Sequence, residues 1–455
     1  MGQSKSESEA HVAVIAFPFG SHAAQILNLT RRLAASAPEV TFSFFSTAKS
    51  NKAVSGSTGG AENIKFYDVH HGVPENHSFS GNPLEEIDLF IKATPGNFIE
   101  AIHKAVEESD RKITCLTNDS FMWMGVDIAQ TLQVPCVSVW APGASSLCAH
   151  LYTDILRQNI GVGANAKYDE YLTFIPAMEK VRAGDLPDEI LKGNLDSLFA
   201  RLLHKAAQVM PQADVVVINS FEELEQDIVD HLKTKFQTCL TVGPFTIVAP
   251  SISDQHDPHG CLPWLDAQPK PSSVAYISFG TMATPPPQEL KALAEGIEAS
   301  GVPFLWSLKD SVKLHLPHGF LERTSERGKV VPWTPQSRLL RHPAVGVIVT
   351  HCGWNSIMES IMGAVPIVYR PFFGDHMLIS RFVSDIWKIG VSAGDVVFTK
   401  DGVVNALDTI LHKEEGKRIR ESVGMWKLKA TQVVGDSGST THNLDKLLKI
   451  VTARN

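Results

Sequence analysis

No apolar run in these 455 residues approaches the roughly 20 needed to cross a bilayer, so no membrane span is expected. The opening stretch, MGQSKSESEA, is polar and lacks the apolar core of a signal peptide. Positive charge is in deficit: 41 Lys and Arg stand against 49 Asp and Glu, a net charge of −8. That balance excludes the basic stripe of a nucleic-acid binder. Cysteine is scarce, six in all, and no Cys-x-x-Cys pair occurs, which removes zinc ribbons and thioredoxin-type redox centres. Buried, reduced thiols in a cytoplasmic protein are expected. No Gly-x-Gly-x-x-Gly follows the first strand of either half. Gly161-Val162-Gly163 only approximates it, without a leading strand, so a dehydrogenase-type dinucleotide site is disfavoured. The Met1-Gly2…Ser6 lipidation pattern lacks a supporting basic cluster. The sequon Asn118-Asp119-Ser120 lacks a secretory signal to present it.

What is present is an alternation of strand-like and helix-like runs, over a length that implies two domains. The clear strands are His11–Phe19, Val40–Ser46, Ile113–Asn118, Cys136–Trp140 and Asp214–Asn219, then Val274–Phe279, Phe304–Ser307, Lys329–Pro332, Val345–Thr350 and Pro366–Tyr369. Near-continuous apolar strands predict an α/β protein with parallel sheets covered on both faces. Thr241–Gly260, rich in Pro, Ser, Asp and Gly, reads as a linker. The expected division is 1–245, a linker at 246–261, 262–436, and a C-terminal helix in 437–455. Leu444, Leu447, Leu448 and Val451 give that helix an apolar stripe. Asn51–Gly60 and the histidine-bearing His70–Pro83 read as surface loops.

The chemistry concentrates in Trp333–His376, which reads as loop, strand, tight turn, helix, strand and loop. Strand Val345–Thr350 delivers His351 to its carboxyl end, Gly353 allows a close turn, and Asn355 and Ser356 sit where a helix begins. A helix start presents unpaired N–H groups and positive dipole, which suits phosphate. Trp333 offers a flat indole for a base. Glu359 offers a carboxylate for a ribose diol, or closes a capping box with Ser356. Asp375 and His376 add an acid–imidazole pair. His22, Asp119, Thr281 and Ser307 also fall at strand ends, where doubly wound sheets bind ligands. Two facing clusters are therefore expected. Singly, His22 suits a core or capping role and Asp119 a helix N-cap. Jointly they suit a general base with a carboxylate that fixes its tautomer.

These residues carry a resemblance. WTPQ, HPAVG, THCGWNS, ES and PFFGDH in Trp333–His376, with AFPFGSHAA, NDSFMW, INSFEELE, VGPF, WLD, VAYISFGT and PPP elsewhere, resemble the plant family-1 UDP-sugar glycosyltransferases over nearly the whole chain. Within them the chain is similar to the flavonoid and anthocyanidin 3-O-glycosyltransferases. The resemblance implies a GT-B fold, two Rossmann-like domains facing across a cleft. It implies His22 as base and Asp119 as its partner. Trp333 stacks on uracil beside Thr334 and Gln336, and Glu359 with Gln336 holds the ribose. His351, Asn355, Ser356 and Thr281 hold the diphosphate about Gly353, Ser307 lies near the nucleotide, and Trp354, Asp375 and His376 hold the sugar. Gly20, Phe121, His150 and Phe372 belong to the acceptor pocket. The stretch ends in His376, where glucosyl-transferring relatives carry Gln, and Ala141 stands where Thr is common. Both departures favour galactose.

The expected function is inverting transfer of a hexose, galactose before glucose, from a UDP-sugar to a flavonoid 3-hydroxyl. UDP-galactose or UDP-glucose is a co-substrate; no cofactor and no metal are expected, since no Asp-x-Asp lies near the diphosphate site. A monomer without nucleic-acid or membrane partners is expected. The competing reading from another class is an NAD(P)-dependent oxidoreductase on a Rossmann-like fold.

Overall fold

The computed structural model describes residues 10–55, 62–80, 82, 84–248, 256–394 and 397–453. Seven strands form the first sheet: β1 (His11–Ile15), β2 (Thr41–Thr47), β3 (Ile64–Val69), β4 (Cys115–Asp119), β5 (Cys136–Trp140), β6 (Val215–Ile218) and β7 (Cys239–Thr241). Six form the second: β8 (Val274–Ile277), β9 (Phe304–Ser307), β10 (Gly328–Val331), β11 (Val345–Thr350), β12 (Ile367–Tyr369) and β13 (Gly390–Ser392). Their orders are β3-β2-β1-β4-β5-β6-β7 and β10-β9-β8-β11-β12-β13. Every neighbouring pair is parallel. Parallel strands need crossovers, which lay helices over both faces, so β1, β4, β5 and β6 are buried end to end.

Three apolar layers result. One lies on the outer face of the first sheet and one on the outer face of the second. The third is continuous between the domains, running from Ile15, Trp140 and Leu147 to Trp354, Ile379 and Trp387. The C-terminal helix Ser439–Val451 packs Leu444, Leu447 and Val451 into the outer layer of the first sheet, beside Val12, Val14 and Leu240. Polar bonds register it: Asn443 Nδ2 donates to the Thr241 carbonyl at 3.0 Å and Thr440 Oγ1 to that of Gly243 at 2.9 Å.

Three strands escaped the sequence reading. β3 is an edge strand with Lys65 and Asp68 exposed, so it lacks the apolar run of a two-faced strand. β7 and β13 are edges of three residues each. Conversely, β1 stops at Ile15, and the residues after it turn towards the helix His22–Ser36. Part of the expected Asn51–Gly60 loop is helical, since Ala48–Ser55 is a helix pinned by Asn51, whose amide donates to the carbonyls of Ser46 and Tyr67; residues 56–61 lie outside the described residues. The expected linker stretch also begins later, because Thr241 completes β7 and Phe245, buried, opens the helical turn Phe245–Val248. Residues 249–255 lie outside the described residues.

Leu447 is fully buried. Leu447→Ala should therefore lower unfolding stability by about 2–5 kcal/mol in urea denaturation, a cost of lost transfer energy plus a cavity. An unchanged midpoint would mean the helix is not held on the first sheet.

Candidate active site

Open parallel sheets bind ligands where the strand order reverses. In the first sheet that point lies between β1 and β4, in the second between β8 and β11. His22 begins the helix after β1, and Asp119 ends β4. Gly280 follows β8, and His351 follows β11. Both expected clusters thus fall at the two switch points.

His22 Nδ1 lies 2.8 Å from Asp119 Oδ2, with the carboxylate fully buried and the imidazole partly open. A carboxylate at Nδ1 holds the proton there and leaves Nε2 as the basic nitrogen. Asp119 also performs its expected local task in altered form: Oδ1 accepts the Phe121 N–H at 3.0 Å. It turns the chain rather than capping a helix, because the helix starts later, at Gly125. A Cβ on Gly125 would lie 2.6 Å from Asn118 Cβ, which explains the glycine. Asn118 is itself fully buried, its amide donating to the Asp119 and Met122 carbonyls, so the sequon is closed to a glycan. Aromatic rings extend from His22: Phe121 at 4.3 Å, then Trp140 at 6.3 Å from Phe121, then His150 at 5.8 Å from Trp140. Gly20, with φ +64°, makes the turn that presents His22.

In the second domain, the His351 ring is flanked by two glycines. A Cβ at Gly353 would lie 2.4 Å from its Nε2, and one at Gly280 3.1 Å from its Cε1. Gly353 is therefore needed for space; its φ is −62°, and Cys352 instead takes the positive φ of 68°. Helix Trp354–Gly363 starts here, with Asn355 and Ser356 in its first turn. Gln336 Nε2 donates to Ser356 Oγ at 2.9 Å and Glu359 Oε2 at 2.7 Å. Tyr276 OH donates to Gln336 Oε1 at 3.0 Å and lies 2.7 Å from Thr334 Oγ1. This network fixes the Thr334–Gln336 loop against the helix and leaves the Trp333 indole 37% exposed, available to stack. Ser307 ends β9, and exposed Thr281 accepts Lys309 Nζ on its carbonyl.

Two residues of the second cluster, Trp354 and Asp375, reach partners in the first domain. Trp354 Nε1 donates to the Asn219 carbonyl at 2.6 Å, and its ring leaves no room for a side chain at Gly143. The indole N–H is thus committed to the first domain. Asp375 meets the Ser146 hydroxyl of the first domain, while its Oδ2 is buried without a partner. Burial pushes the Asp375 carboxyl up to about 6, against the lowering effect of Ser146. His376 lies 4.7 Å from His351, ring to ring, and its Nδ1 accepts the Phe373 N–H at 3.4 Å, leaving the proton on Nε2. Phe372 is occupied within the second domain, against Phe279 and under the Arg370 guanidinium at 4.1 Å. Phe373, missed in the sequence, is exposed and 4.8 Å from His376. Asn219, Ser146 and Tyr276 were also missed; Asn219 and Ser146 are met from the other domain, and Tyr276 is a buried strand residue bonding a loop 58 to 60 positions away, neither of which leaves a sequence signal.

The two facing Rossmann-like domains, each with its functional cluster at a switch point, define a GT-B glycosyltransferase fold. The family description UDP-glucoronosyl and UDP-glucosyl transferase matches residues 10–422, and the chain belongs to that family. It is 48% identical over 457 residues to an anthocyanidin 3-O-galactosyltransferase of Rhododendron delavayi, covering 98% of each chain. It is 47% identical over 452 residues to an anthocyanidin 3-O-glucosyltransferase of Vitis vinifera, covering 99% of each. A crystal structure of a UDP-glucose: anthocyanidin 3-O-glucosyltransferase in complex with UDP superposes with a TM-score of 0.93 at 40% identity, covering 98% of this chain and all of that one. Family membership removes the oxidoreductase reading. Among the described residues no helix is long and apolar enough to cross a membrane.

Burial holds His150 down at about 3 and His351 at about 4, and drives His376 well below the ordinary imidazole value. The unfolded chain takes protons that these native rings refuse. Their contribution to stability is complete above pH ~6.5 and is lost as the pH falls from there towards about 3. Asp375, raised in the fold, acts in the opposite sense as the pH falls through about 6, but three imidazoles outweigh one carboxyl. The urea midpoint should fall between about pH 7.5 and pH 5, and His150→Asn should flatten that slope. A midpoint independent of pH over this range would contradict neutral burial.

Proposed function

We propose that this chain transfers a hexose from a UDP-sugar to the 3-hydroxyl of a flavonol or anthocyanidin, with inversion to a β-glycoside. The observation that carries the proposal is the His22–Asp119 pair, 2.8 Å apart, opening onto an aromatic wall. His22 Nε2 takes the proton of the acceptor hydroxyl, and Asp119 stabilises the imidazolium that forms. The oxygen attacks the anomeric carbon from the face opposite the phosphate, the carbon–oxygen bond to phosphate breaks, and UDP leaves. Charge developing on UDP meets the start of helix Trp354–Gly363, with His351, Asn355, Ser356 and Thr281 as hydrogen-bonding partners. His351, partly buried and held neutral, serves there as a donor and not as a cation. Trp333 stacks on uracil, with Thr334, Gln336 and Glu359 ordering the ribose side and Ser307 close by.

The sugar lies between the domains. The unpartnered Asp375 Oδ2 supports this position, since a buried carboxylate oxygen needs a donor and a sugar hydroxyl is one. The flavonoid rests against Phe121, His150 and Phe373, with Gly20 leaving space beside His22. The proposed domain division keeps 1–245 for the acceptor and 262–436 for the donor, joined through 246–261. Galactose is the proposed donor sugar and glucose the alternative. His376, held as an Nε2–H donor, supports galactose because it offers one donor where a Gln would offer both a donor and an acceptor. A galactosyltransferase and a glucosyltransferase at nearly equal identity keep glucose open.

His22→Ala should lower kcat by about 10²–10⁴-fold while leaving UDP affinity nearly intact, measured by UDP release and calorimetry. Substantial residual turnover would place the base elsewhere. His376→Gln should raise the kcat/KM ratio for UDP-glucose over UDP-galactose; an unmoved ratio would remove His376 as a donor selector.

A further inference from the structure

The Trp354–Asn219 bond does not end at Asn219. Asn219 Oδ1 accepts the Phe245 N–H at 2.9 Å, which fixes the amide so that Nδ2 faces the Ala141 carbonyl at 3.0 Å and Gln25 Oε1 at 3.3 Å. Gln25 in turn donates its Nε2 to Ser21 Oγ at 3.0 Å. Ser21 is the residue before His22 and stands at the start of its helix, and Gln25 lies one turn on. Trp354 N–H thus holds the Asn219 main chain, and from the Asn219 side chain the donors run on in one direction: side-chain N–H to Gln25 C=O, then Gln25 N–H to the Ser21 hydroxyl. The chain starts on the first residue of the anion-facing helix and ends beside the His–Asp pair. Gly143 and Gly243 are packed too closely to accept a Cβ, against Trp354 and Asn219 respectively, so the relay has little room to shift.

We propose that Gln25 is a positioning residue, the link through which the Trp354–Asn219 contact sets the His22 helix relative to the donor helix of the other domain. This rests on the transferase reading above. Gln25 touches neither reacting group. Its effect is on the alignment of His22 with the acceptor oxygen and the anomeric carbon, to which rate is steeply sensitive and UDP binding is not.

The test measures kcat, donor KM and UDP affinity by calorimetry for the full-length chain and its variants, using UDP-galactose, UDP-glucose and quercetin. Gln25→Ala should lower kcat roughly tenfold with the UDP dissociation constant within about twofold of the unmodified value. Gln25→Glu keeps one acceptor facing Asn219 and offers a second to which the Ser21 hydroxyl can donate, so it should restore most of the rate, which a loss of mere helix stability would not predict. Trp354→Phe keeps an aromatic side chain, though a smaller one, and loses the N–H; it should lower kcat similarly, and the double variant should be no slower than the slower single one, as expected of links in one chain. Unmodified kcat in Gln25→Ala, a Gln25→Glu variant as slow as Gln25→Ala, or multiplying losses in the double variant would each overturn the inference. Absence of transfer by the unmodified chain would overturn the proposed function itself, and the inference with it.

Discussion

The indole of Trp354 reaches out of the second domain and gives its N–H to a main-chain carbonyl of the first. Much of the site follows from that contact. It brings the start of helix Trp354–Gly363 up to the strand ends of the first sheet, where His22 and Asp119 stand. It is reinforced nearby by Trp387, whose Nε1 donates to the Leu224 carbonyl at 3.1 Å. Both acceptor carbonyls belong to the segment after β6, so the two tryptophans seat one domain on a single stretch of the other. Buried indoles with satisfied N–H groups join large apolar area to directional bonding, which suits an interface that must hold two half-sites in register.

The apolar layer between the domains explains why the polar site residues behave as they do. A carboxylate or imidazole in such surroundings is displaced towards its neutral form unless a partner opposes burial. Asp375, His351 and His376 all follow that rule. The proposed donor site would thus meet a nucleotide diphosphate with neutral donors and a helix end, without a fixed Lys or Arg among the residues assigned to it. Neutral donors hold a leaving group without trapping it as a product, and their orientation costs little to maintain because Gly280, Gly353 and the Gln336 network already fix it.

Much of this was legible in the sequence because strand ends in parallel sheets are local events. His22, Asp119, Thr281, Ser307 and His351 each follow an apolar run that can be recognised without knowing what it pairs with. The edge strands β3, β7 and β13 were not legible, since an edge loses the two-sided burial that makes a strand stand out. Nor was the choice between Phe372 and Phe373: adjacent rings in one loop differ only in which finds Arg370 and Phe279 to pack against. Trp354 was assigned to the sugar by resemblance, yet its side chain serves the domain boundary. Contacts between distant segments leave no periodicity behind, so Asn219, Ser146 and Gln25 became visible only once the chain was folded.

All six cysteines are buried and unbridged, and burial raises their thiols, with Cys136, Cys148, Cys239 and Cys261 pushed up to about 12 and Cys352 well above the ordinary value. A thiol held protonated and out of solvent is a poor nucleophile. The native molecule therefore offers a silent background to maleimide chemistry, and one cysteine engineered onto the surface of each domain would take a fluorophore selectively. Distances between such labels would report how far the cleft opens without first stripping the chain of its own sulfur.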